Sequence, residues 1–185
     1  MTDLREQALA DQLRWVHDML RRDLATVREL AQRVTEGAAA TEVTAELDAL
    51  RSRGPLFQLR VNCLSYCQTL GAHHSNEDTT LFPAVRLSAP HLASAVDRLE
   101  QDHAVVAALL DRIGGLADAL ARQQARLELV RTLEELAGHL LEHLDYEERT
   151  LEPVFASWSG SGGQMPDAIR DELARRASDA SGGEQ

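Results

Sequence analysis

Four histidines and two glutamates stand at positions that suit metal ligation: His17, His73 with Glu77 four residues on, His103, and His143 with Glu147 four residues on. Imidazole nitrogens and carboxylate oxygens together suit iron, with zinc or manganese as the other candidates. Residues four apart leave the same face of a helix one turn apart, so each His-x-x-x-Glu pair offers both groups to one pocket. A lone histidine on an apolar stripe reads as a hydrogen-bonded core residue, and a lone His-x-x-x-Glu reads as a surface pair. Here four of the seven histidines lie on the stripes, where only about two positions in seven would fall by chance. Burying this set of charged groups among Leu and Ala costs several kcal/mol per ionised group unless a cation compensates them.

Other side chains compete for a place at such a site. His139 is one turn before His143 and is a candidate ligand or a hydrogen-bond donor to one. Tyr66, seven residues before His73, points inward either as a core aromatic or as a donor to the metal. Cys63, further along the same stripe, reads as packing, and with Cys67 as a reduced buried thiol pair. His91 beside Pro90 reads as a solvated helix-start residue, and Trp15 and Trp158 carry no signal. The Glu134-Glu135 and Glu147-Glu148 pairs read as solvated surface, Glu147 itself excepted.

The elements that must position these groups are helical. Apolar residues recur at three- and four-residue steps in four segments: Leu9 to Val34, Leu59 to Leu81, Leu92 to Leu120, and Leu129 to Glu147. Gly37, Gly54-Pro55, Pro90 and the run Ser157 to Gly163 mark the boundaries. A short helix is expected between Thr41 and Arg53, another over Pro166 to Ala177 using Ile169 and Leu173, and a disordered tail over Ser178 to Gln185. The fold class that follows is all-α: an up-down four-helix bundle over residues 1–157, then a Gly/Ser linker, short helix and flexible tail over 158–185. The stretch from His73 to Pro83 can be laid over His143 to Pro153, with His, Glu, Thr, Leu and Pro at matching offsets. The chain thus reads as two helix pairs of one plan.

Composition narrows the partners. The 185 residues suit one domain, and 44% apolar with only 4% aromatic content favours helix over sheet. The net charge of −11, with every basic residue Arg, argues against nucleic acid. No apolar run is long enough for a membrane span, and the start Met1-Thr2-Asp3-Leu4 lacks signal-peptide character, so a cytoplasmic location is expected. Oligomeric state and any protein partner cannot be read from the scattered remaining apolar residues.

The pattern of His17, His73-x-x-x-Glu77, His103 and His143-x-x-x-Glu147 resembles the hemerythrin-like, or HHE cation-binding, family over Leu9 to Phe155. The resemblance implies a non-haem di-iron site, with irons that an oxo or hydroxo group can bridge and glutamates shared between the two halves. It implies a small diatomic or peroxide ligand: O2 or NO for a binding or sensing module, peroxide or NO for a detoxifying catalase- or peroxidase-like enzyme, or iron itself for storage. Oxygen-carrying members use five histidines and an aspartate in the last helix, where this chain has Glu147. A fifth ligand here would be His74 or His139, although the stripe and the repeat both argue against His74, whose counterpart is Leu144.

Overall fold

The structure, a computed structural model, describes residues 9–37, 55–158 and 165–182. Helices α1 (Leu9–Gly37) and α2 (Pro55–Asn76) come first, and α2 passes into a π-helical turn at Glu77–Leu81 and then the short α3 (Phe82–Ser88). A 3-10 turn at Pro90–Leu92 leads to α4 (Ala93–Ala117), followed by α5 (Gln123–Ser157) and α6 (Asp167–Gly182). There is no strand among the described residues, as the helical periodicity requires. The short helix expected between Thr41 and Arg53 lies outside them. No helix among them is long and apolar enough to cross a membrane.

The chain divides into two compact units, and α1, α2, α4 and α5 each give a segment to both. The first unit comprises Met1–His17, His74–Gln101 and His143–Gln185, and the second Asp18–His73 and Asp102–Glu142. In the second unit, Leu20, Leu24, Val27, Leu59, Leu70, Val106, Ile113, Leu129, Leu133, Leu136 and Leu140 are all buried. They lie on the stripes read from the sequence, and burying each contributes about 1.5–3 kcal/mol. Polar contacts fix which helices are neighbours there. Arg28 on α1 pairs with Glu134 on α5, Arg60 on α2 donates to Asp118 just beyond α4, and Arg112 on α4 lies 3.6 Å from Glu135 on α5.

The core of the first unit is richer in aromatics. Phe82, Val85, Val96, Leu99, Leu151, Val154, Phe155 and Trp158 form it, with Leu9, Leu13, Ile169 and Leu173 packed against it. Trp158 meets Phe155 edge to face at 5.6 Å. Ion pairs of Arg14 with Glu152, and of Arg86 with Asp97 and Glu100, tie the same segments at the surface.

Two expectations need correction. The tail from Ser178 is not wholly irregular, because α6 runs on to Gly182; Ser178 returns its hydroxyl to the Ala174 carbonyl at 3.0 Å, a bond that lets serine sit inside a helix. The α2 stripe also slips by one residue. Leu81, expected inside, is only partly buried, whereas Phe82 is fully buried. The π turn supplies the reason, since it spends one extra residue per turn and so hands the inward position to the next side chain.

Candidate metal centre

The last long helix carries its part of the centre without a break. Leu136, Leu140, His143, Leu144, Glu147 and Leu151 follow one another along the buried face of α5, none more than 1% exposed. A helical face this apolar would reject an imidazole and a carboxylate unless they met partners. The partner from α1 is His17, itself 0% exposed. Its Nε2 lies 3.4 Å from Oε2 of Glu147 and its Nδ1 lies 2.8 Å from Oε1 of Glu148. The Nε2 of His143 is 3.8 Å from the same Glu147 oxygen.

The end of α2 brings the rest. His74 and Glu77, buried at 5% and 2% exposed, straddle the point where the α-helix opens into the π turn. The rings of His74 and His143 meet edge to face, their centroids 5.3 Å apart. Ligand atoms of His74, Glu77 and His143 lie within 4.8 Å of one another, and so do those of His17, Glu77 and Glu147. Glu77 therefore belongs to both sets.

Electrostatics mark this as a place for positive charge. Burial first, then the Glu147 carboxylate, then Asp78, push the Glu77 carboxyl from 4.5 up to about 10. Two carboxylates this close in a dry interior cannot both stay ionised unless a cation sits between them. The donors present, imidazole nitrogen and carboxylate oxygen, fit such an ion, which bundle interiors hold on facing helices.

The sequence-predicted residues fall in both units. His17, Glu77, His143 and Glu147 meet in the first unit as the spacing requires. His74 joins them, against the reading from stripe and repeat. Its counterpart Leu144 is equally buried, so the repeat is right about depth and silent about chemistry. His103 is buried and His73 half-buried; each stands at the edge of the second unit, His73 as the last residue of its α2 segment. His139 is exposed, and its neighbour Leu140 takes the buried position on that turn of α5. His91 is exposed, as expected.

Tyr66 lies buried in the second unit, where it lines a cavity of about 140 Å³ with Asp23, Thr26, Val27, Asn62, Ser65 and Thr69. Its hydroxyl makes no hydrogen bond, and burial pushes its pKa up. Cys63 and Cys67 are both free thiols. Glu148 is the residue that the sequence reading missed. It looked like solvated surface, and only its position directly after Glu147 hinted otherwise.

Buried imidazoles and carboxylates gathered on the long helices of an all-helical chain define a cation-binding helical protein. More narrowly, the chain belongs to the hemerythrin HHE cation-binding domain family, whose model matches residues 8–155, with a second, overlapping match over 94–175. No curated protein and no solved structure matches it.

Proposed function

We propose that the centre holds two non-haem iron ions and that the protein handles a small oxidant or diatomic ligand, O2, NO or peroxide. The observation that carries this is the sharing of Glu77 between two sets of donors: His74 and His143 on one side, His17 and Glu147 on the other. One carboxylate common to two donor sets is what a pair of cations needs for a bridge. His73 and His103 are assigned as further terminal ligands on the strength of the spaced sequence pattern. Iron bound there supplies a redox couple and a coordination position for a small ligand. The chain's own contribution is a dry lining: Leu140, Leu144 and Leu151 flank the ligands on α5, fully buried.

A second reading, turnover of peroxide, draws on the two buried glutamates, because anionic oxygen donors favour the ferric over the ferrous state. Elemental analysis of the purified full chain, then stopped-flow spectra of the reduced iron form with O2, NO and peroxide, test both readings. Two irons per chain and a reversible spectral change with O2 or NO are expected for binding or sensing, whereas sustained peroxide consumption marks the enzyme. A native protein without transition metal, or with iron inert to all three, sinks the proposal.

A further inference from the structure

The two nitrogens of His17 are held by neighbouring residues of α5. Nδ1 stands 2.8 Å from Oε1 of Glu148, and Nε2 stands 3.4 Å from Oε2 of Glu147. The ring is 0% exposed, and the Glu148 side chain is only 24% exposed, so water does not readily replace this contact. An ionised carboxylate can only accept a hydrogen bond. In the neutral ring, a hydrogen on Nδ1 that donates to Glu148 leaves the lone pair on Nε2, the nitrogen that faces Glu147. Without Glu148 the preference reverses, because the Glu147 carboxylate, 3.4 Å from Nε2, then accepts from that nitrogen instead.

We propose that Glu148 is a positioning residue of the centre: it fixes the tautomer of His17 with hydrogen on Nδ1 and presents Nε2 as the metal-donating atom. This rests on the reading of the site as a cation centre. Carboxylates that hold the far nitrogen of a ligating imidazole orient the ring and raise its basicity, and Glu148 has the distance and the burial for that part. The arrangement also explains why two adjacent glutamates are needed here. Consecutive residues on a helix point about 100° apart, so Glu147 reaches one nitrogen of the ring and Glu148 the other.

The test uses the full chain with 15N-labelled histidine and the variants Glu148→Ala and Glu148→Gln, with His17→Ala to assign the His17 signals. Long-range 1H–15N spectra are recorded before and after addition of Zn(II), a diamagnetic probe, and Zn(II) and anaerobic Fe(II) titrations give the affinities. In the wild type the hydrogen is expected on Nδ1. Glu148→Ala should move it to Nε2 in the metal-free chain and lower metal affinity about 10- to 100-fold, with the number of ions bound at saturation unchanged. Glu148→Gln keeps an acceptor oxygen, so it should preserve the Nδ1–H tautomer while losing part of the affinity. Hydrogen still on Nδ1 in Glu148→Ala, or wild-type affinity in that variant, overturns the proposal. If Glu148→Ala does not fold, Glu148→Gln decides: unchanged affinity there overturns it. If the wild-type chain takes up neither metal, the cation-centre reading fails by itself, and the metal-free spectra still decide whether Glu148 sets the tautomer.

Discussion

At the scale of single residues, burial and the Glu147 carboxylate hold Glu77 toward its protonated form in the metal-free chain. Its folded-state pKa, about 10 against an ordinary 4.5, means that the fold favours the protonated carboxyl. Its contribution to stability is therefore complete below about pH 4.5 and drains away as pH rises toward 10. Thermal melts of the metal-free protein across this window should show a falling Tm, and Glu77→Gln, a permanently neutral mimic, should remove that slope. The same variant should lose bound iron, as should His143→Ala, whereas His91→Ala should keep it; metal analysis of the three distinguishes ligands from bystanders. The thiols point the other way. Burial pushes Cys63 up to about 12 and Cys67 to about 11, so almost no thiolate exists at neutral pH. Reaction with a maleimide at pH 7 should be slow for Cys67, and for Cys63 should wait on unfolding; rapid native-state labelling of Cys63 would contradict its burial.

At the scale of elements, the π turn at Glu77–Leu81 is the feature that most shapes the centre. Upstream of it Leu70 and His74 face inward, Glu77 does so at its first residue, and downstream Phe82 and Val85 do, so the turn absorbs one residue without disturbing either side. Deleting Thr80, which is exposed, should close the turn to ordinary α-helix and leave both buried faces in register, with Tm within a few degrees of wild type. Deleting the equally exposed Gln68 from the regular part of α2 should rotate one face against the other by about 100° and abolish cooperative melting; circular dichroism of the two deletions makes the comparison. This turn also shows where sequence reading stops. The stripes of α1, α4 and α5 are legible because an unbroken period of 3.6 maps residue number directly onto face, and His17, Glu77, His143 and Glu147 are buried where that map puts them. Phe82 does not follow it, because a widened turn before it changes the map and no residue type announces it; nor does His74, because a step of four from Leu70 fits the helical period as well as the step of three to His73. Glu148 escapes for another reason: a charged residue beside a core position looks solvated until the ring of His17, far away in the chain, is seen against it.

At the scale of the whole molecule, the boundaries between the two compact units fall at the histidines. They lie after His17, between His73 and His74, just before His103 and just before His143. Apolar packing thus has its own focus in each unit, and within the first unit the buried positions of α1, α2 and α5 include the imidazole and carboxyl groups of His17, His74, Glu77, His143 and Glu147. Polar groups there contribute little burial energy, and the paired carboxyls of Glu77 and Glu147 oppose each other, so the metal-free first unit should be weakest around these residues. A cation that binds only the folded chain stabilises it by mass action, about 4 kcal/mol when present at a thousand times its Kd. Removing the bound cation with a chelator should therefore lower Tm by several degrees, and adding it back should restore Tm. Hydrogen exchange should locate the effect: amides around residues 74–78 and 143–148 should exchange faster in the metal-free chain, while those near Leu24 and Leu133, deep in the second unit, should change least. A uniform acceleration along all helices would instead mean that the cation acts on the fold as a single cooperative block, and unchanged exchange at Glu77 and Glu147 would remove these residues from the centre.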